Sequence, residues 1–102
     1  MKYIGTVKWT HPYKKEGSGN IPVCHIRPDK VVFEVEWAGH KYDVELQRHG
    51  EVLSGKWKEG LDTGPLTSWI MYPDGDFFRL KGDWKDGTDI YKTYVDLQRD
   101  DE

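Results

Sequence analysis

Apolar and polar residues alternate with a period of two along most of this chain, and no window of about eleven residues holds a helical apolar stripe. The alternation predicts strands over Lys2–Trp9, Ile21–Arg27, Lys30–Trp37, Lys41–Arg48, Glu51–Lys58, Leu66–Tyr72, Asp76–Lys85 and Asp89–Leu97. Turn formers separate them: Pro28-Asp29, Ala38-Gly39-His40, His49-Gly50, Asp74-Gly75 and Gly87-Thr88. Separators this short join successive strands antiparallel. The predicted fold class is therefore all-β, with about eight antiparallel strands in a meander.

Charge tests the register. With Gly87-Thr88 as a two-residue loop, Asp83 faces Lys92 and Arg79 faces Asp96, while Trp84, Gly82, Leu80 and Phe78 face Tyr91, Thr93, Val95 and Leu97. With His49-Gly50 as the loop, Arg48 faces Glu51 and Asp43 faces Lys56; Tyr42, Val44 and Leu46 then oppose Trp57, Gly55 and Leu53. Both hairpins put apolar pairs on one face and opposite charges on the other. If Ala38–Lys41 form the first hairpin's loop, Glu34 faces Glu45 and Glu36 faces Asp43, a like-charge stripe that solvent and Lys56 would neutralise.

Leu53-Ser54-Gly55-Lys56-Trp57-Lys58-Glu59-Gly60 is echoed by Leu80-Lys81-Gly82-Asp83-Trp84-Lys85-Asp86-Gly87, and more loosely by Tyr3-Ile4-Gly5-Thr6-Val7-Lys8-Trp9. A glycine inside a strand lets a sheet bend or makes room for a large neighbour. Eight strands with such glycines imply a small closed or nearly closed up-and-down barrel, which removes exposed edges; a two-sheet β-sandwich is the alternative. On its Gly-x-Trp segments within a meander, from Lys30 to Leu97, the chain resembles the calycin group of lipocalins and avidins at the level of fold. The domain expected is 1–98, followed by a frayed acidic tail, 99–102.

Alternating strand direction gathers Trp9, Trp37, Trp57 and Trp84 at one end, here called the top, with Trp69 in the upper half. The connections Thr10–Asn20, Ala38–His40, Glu59–Pro65 and Asp86–Thr88 also fall there, and the bottom turns are tight. Such asymmetry is common where one mouth binds a ligand. The indoles either plug the barrel or form a cage for an aromatic, sugar or cationic small molecule. The segment Thr10–Asn20, with its Gly-Ser-Gly-Asn end, reads as a flexible lid.

Composition narrows the partners. The 102 residues make one domain, and aromatic residues at 14% offset a hydrophobic content of only 36%. A net charge of −3 and a pI near 5.8 lack the basic footprint of a nucleic-acid binder. No apolar run reaches membrane-span length, and Met1-Lys2-Tyr3-Ile4 lacks the apolar core of a signal peptide. A single cysteine, Cys24, expected inward opposite Phe33, fits a reducing, cytoplasmic compartment.

No Cys-x-x-Cys, His-x-x-x-His, Gly-x-Ser-x-Gly or phosphate-loop spacing occurs, so no metal, cofactor or catalytic residue is expected. Three readings follow. The leading one is a non-enzymatic binding barrel with Trp9, Trp37, Trp57 and Trp84 as walls and His11, Tyr13, His40 and Asp62 orienting a polar group. The next is an interaction module with a filled interior and outward Val32, Val52 and Phe77 as its contact surface, monomeric or homodimeric. The last is a small enzyme pairing His11 or His40 with Asp62.

Overall fold

A computed structural model describes residues 2–100. It is all-β: eight strands, β1 (Lys2–Thr10), β2 (Gly17–Ile26), β3 (Lys30–Trp37), β4 (His40–His49), β5 (Val52–Glu59), β6 (Asp62–Asp74), β7 (Phe77–Asp86) and β8 (Asp89–Arg99). Each pairs antiparallel with the next, and β1 pairs with β8, closing the barrel. Closure rules out the two-sheet sandwich and leaves no open sheet edge among the described residues.

Inward positions fill the barrel with side chains. Val7, Ile21, Val31, Phe33, Val35, Leu46, Leu53, Leu66, Trp69, Leu80, Val95 and Leu97 are all buried, as is the Cys24 thiol opposite Phe33. At the base, Tyr3 meets Phe78 edge-on at 5.4 Å. Arg48 secures the turn after β2: its amide donates to Asp29 O at 2.8 Å and its Nη1 to Arg27 O at 2.7 Å.

The β7–β8 hairpin has the expected register, with Lys92 Nζ 2.7 Å from Asp83 and Arg79 Nε 3.2 Å from Asp96. The β4–β5 hairpin differs from expectation by two residues: Arg48 faces Leu53, Asp43 faces Lys58, and Val44 and Leu46 face Trp57 and Gly55. Its loop is Gly50-Glu51, not His49-Gly50, because glycine takes the first loop position at φ +69°. A two-residue slip keeps every side chain on its face, so alternation alone does not detect it. The β3–β4 loop is likewise tighter than expected, Ala38-Gly39, both with positive φ. The like-charge stripe accordingly dissolves: Glu36 faces Lys41, Glu45 faces Lys56, and Lys41 reaches Glu34 at 3.4 Å; Glu34 opposite Asp43 remains.

Two predicted loops are strand. Gly17–Asn20, read as the flexible end of a lid, pairs with Trp9–Thr6, leaving only residues 11–16 as loop. These small residues serve packing: a Cβ on Gly17 would touch the Trp9 and Trp37 indoles at 3.4 and 3.5 Å. The Glu59–Pro65 connection shrinks to Gly60-Leu61, since β6 starts at Asp62. Near the top, the β6–β7 ladder starts only at Leu66 opposite Trp84, so Asp62–Pro65 pair with β5 alone. The Trp57 indole crosses above Gly64 and donates to Lys85 O on β7 at 3.0 Å.

Because β6 starts earlier, Trp69 lies past its midpoint, opposite Leu53, and not at the mouth. A bulge between Thr67 and Ile70, with Ser68 at φ +58°, turns Trp69 inward. Its indole donates to Asp83 O at 2.9 Å. At the other end of the chain, β8 runs through Arg99, and the Asp100 amide donates to Lys2 O at 3.0 Å, so the ordered wall extends beyond residue 98. The rest of the expected tail, 101–102, lies outside the described residues.

Candidate functional site

Strands β1, β3, β5 and β7 all rise toward the same end, and each carries a tryptophan at or near its top. The indoles therefore meet. Trp9 lies 5.7 Å from Trp37 and 5.5 Å from Trp84, ring centre to ring centre, and Trp84 stacks on Trp57 at 5.8 Å. Tyr42 on β4 stands edge-on to both Trp57 and Trp84. Above this cluster opens a cleft of about 120 Å3, lined by Trp9, Lys15, Gly17, Trp37, Tyr42, Trp84, Asp86 and Tyr91. Trp9 and Trp84, 8% and 4% exposed, form its floor, and Trp37, 39% exposed, forms its rim.

Three of the expected wall and orienting residues, Trp9, Trp37 and Trp84, line the cleft. Trp57 does not; it backs Trp84 and spends its N–H on Lys85 O, bracing the barrel. His40 stacks between Trp37 and Tyr42 and bonds through Nδ1 to Glu59. It supports the rim from outside. His11 sits over Tyr91 at 5.2 Å, with Nε2 3.6 Å from Asp89, and so supports the opposite wall. Tyr13 is 93% exposed and points away, its amide donating to His11 Nδ1. Asp62, exposed after the Gly60-Leu61 turn, pairs with neither histidine; their acidic neighbours are Asp89 and Glu59.

Tyr42, Tyr91, Asp86, Lys15 and Gly17 are the lining residues not expected as site residues. The first two carried a signal, since the paired strands put them inward beside Trp57 and Trp84; Asp86 and Lys15 carried none beyond a place at the top. The segment 11–16 is held over the mouth by Lys14 on Asp89 and by Lys8, 3.5 Å from Glu16. The hydrogen bond to Lys14 holds the Asp89 carboxyl below its usual range and raises Lys14. Burial, then the nearby Glu59 and Asp86 carboxylates, raise the Tyr42 phenol. The mouth thus sets one carboxylate, Asp86, and one ammonium, Lys15, beside neutral rings. The Trp9 Nε1 hydrogen has no partner, but it is closed off within the floor.

Among the described residues no cluster of three or more His, Cys, Asp or Glu side chains is placed to hold a metal ion, and no helix is long and apolar enough to cross a membrane. Compared with known proteins, the chain matches no family model, no curated protein and no solved structure.

Proposed function

We propose that this barrel is a non-enzymatic binding protein that receives part of a small molecule in the aromatic cleft at its top. The supporting observation is the coexistence of a filled interior with a concave mouth whose rim indole, Trp37, stays 39% exposed. An indole exposed at a concave mouth can be reached by a ligand, whereas the filled interior cannot. The cleft is smaller than the roughly 300–1,000 Å3 of sites that enclose a whole drug-sized ligand. It accepts a single group, with the remainder of the ligand outside. The resemblance to calycins adds the barrel architecture to this reading and nothing about the ligand.

Indole N–H resonances test the reading directly. Small aromatic, sugar and ammonium probes are titrated while the five tryptophan signals are followed. Binding at the mouth shifts the Trp37 and Trp84 signals and spares Trp69, which is fully buried. If no probe class shifts Trp37, or if shifts centre on Trp69, the proposal fails.

A second reading, an interaction module, draws on Val52 and Ile70, paired across β5 and β6 and exposed to 54% and 43%. Because no edge is open, any homodimer would join through such a face and not by strand pairing.

A further inference from the structure

Resting on the binding reading above, we infer that the group this cleft takes is a compact organic cation, an alkylated ammonium. Three features of the mouth converge on that class.

The first is shape. Trp9 and Trp84 stand at 84° to one another, Tyr42 and Trp84 at 84°, and Trp9 and Trp37 at 65°. Floor and rim rings that meet nearly at right angles make a box. A planar ring needs a parallel-sided slot to stack, whereas a tetrahedral ammonium presents similar contacts in every direction. The second is size: a cleft of about 120 Å3 matches one compact head group, somewhat below the ~150 Å3 cavity that holds benzene.

The third is charge. Among the described residues the neighbouring aspartates on the β7–β8 hairpin have cationic partners: Asp83 has Lys92, Asp89 has Lys14, and Asp96 has Arg79. Asp86, which lines the cleft, has no ion pair and no hydrogen bond from its side chain, and it feels Lys14, committed to Asp89, only at longer range. Aromatic faces attract cations through their quadrupoles, and an unpaired carboxylate beside them strengthens that attraction where water is partly excluded. The lining's one basic group, Lys15, is exposed on the 11–16 segment and likewise unpaired. It competes with a bound cation for Asp86; with an anionic ligand it would assist instead.

Choline and its uncharged carbon isostere 3,3-dimethylbutan-1-ol separate the possibilities, because they differ in charge and hardly in shape. Calorimetry and the Trp37 indole resonance should show choline binding at least about tenfold tighter than the isostere, the equivalent of about 1.4 kcal/mol. Asp86→Asn should weaken choline several-fold and leave the isostere unchanged, and Lys15→Ala should tighten choline. Equal binding of both probes, or tighter binding of acetate, phenol or a methyl glycoside at Trp37, overturns the cation inference while the binding reading stands. If none of these probes perturbs the cleft, both fall.

Discussion

Gly55 and Gly82 occupy the same place in the repeated Leu-x-Gly-x-Trp segments, yet they serve different neighbours. A Cβ on Gly55 would lie 1.8 Å from Glu45 O, so this glycine permits close approach of two strand backbones. A Cβ on Gly82 would lie 2.3 Å from the Trp69 indole, so that glycine is the space a buried ring occupies. The repeat was legible in the chain, and so was its structural role. That Gly82 admits Trp69 depends on the bulge at Thr67–Ile70, and alternation carries no mark of that. Cys24 was equally legible as an inward residue, and burial pushes its thiol up to about 12. In the native protein at pH 8 it should resist a thiol reagent and react only on unfolding, which a timed assay with and without denaturant checks. The sign of the linkage follows. The unfolded thiol loses its proton from about 9 upward while the folded one keeps it, so the unfolded state binds fewer protons and stability falls between those values. Rapid native labelling at pH 8 would show that the thiol is not enclosed as described.

At the scale of elements, four tight turns share one device: Gly50, Gly60, Gly75 and Gly87 each take the first loop position with positive φ, as a type II′ hairpin requires. The β7–β8 register followed correctly from placing Gly87 first. The β4–β5 register differs by two residues because Gly50, and not His49, opens the loop, and face alternation tolerates that slip. The β3–β4 turn is the exception, with Ala38 at φ +48° ahead of Gly39. A left-handed alanine costs about 1–2 kcal/mol that asparagine largely avoids. Ala38→Asn, which creates the Asn-Gly pair favoured in type I′ turns, should raise stability by about 1 kcal/mol in urea unfolding. No gain, or a loss, would mean that this turn is not strained as described. The two segments misread as long loops, Gly17–Asn20 and Asp62–Pro65, have a common cause. Their small residues and proline look like turn chemistry, whereas in the barrel they make room beside Trp9, Trp37 and Trp57.

For the molecule as a whole, the meander and the gathering of indoles at one end were both visible from strand count and direction. Whether those indoles plug or line was not, and the outcome divides them: Trp57 and Trp69 fill and brace, while Trp9, Trp37 and Trp84 shape the cleft. The division follows the indole N–H groups: those of Trp57 and Trp69 reach backbone acceptors, a matter of bulges and of strand ends, and that of Trp9 does not. One such strand end has a consequence for motion. Where β6 and β7 have not yet joined, an indole reaching Lys85 bridges the gap, which makes that stretch a seam in the wall. Removing the latch with Trp57→Phe should speed hydrogen–deuterium exchange at Gly64 and Asp86 while Leu80 and Val95 keep their protection. Uniform acceleration, or none, would place the weakness elsewhere. A barrel that parts along one such line can widen its upper rim without unravelling its base.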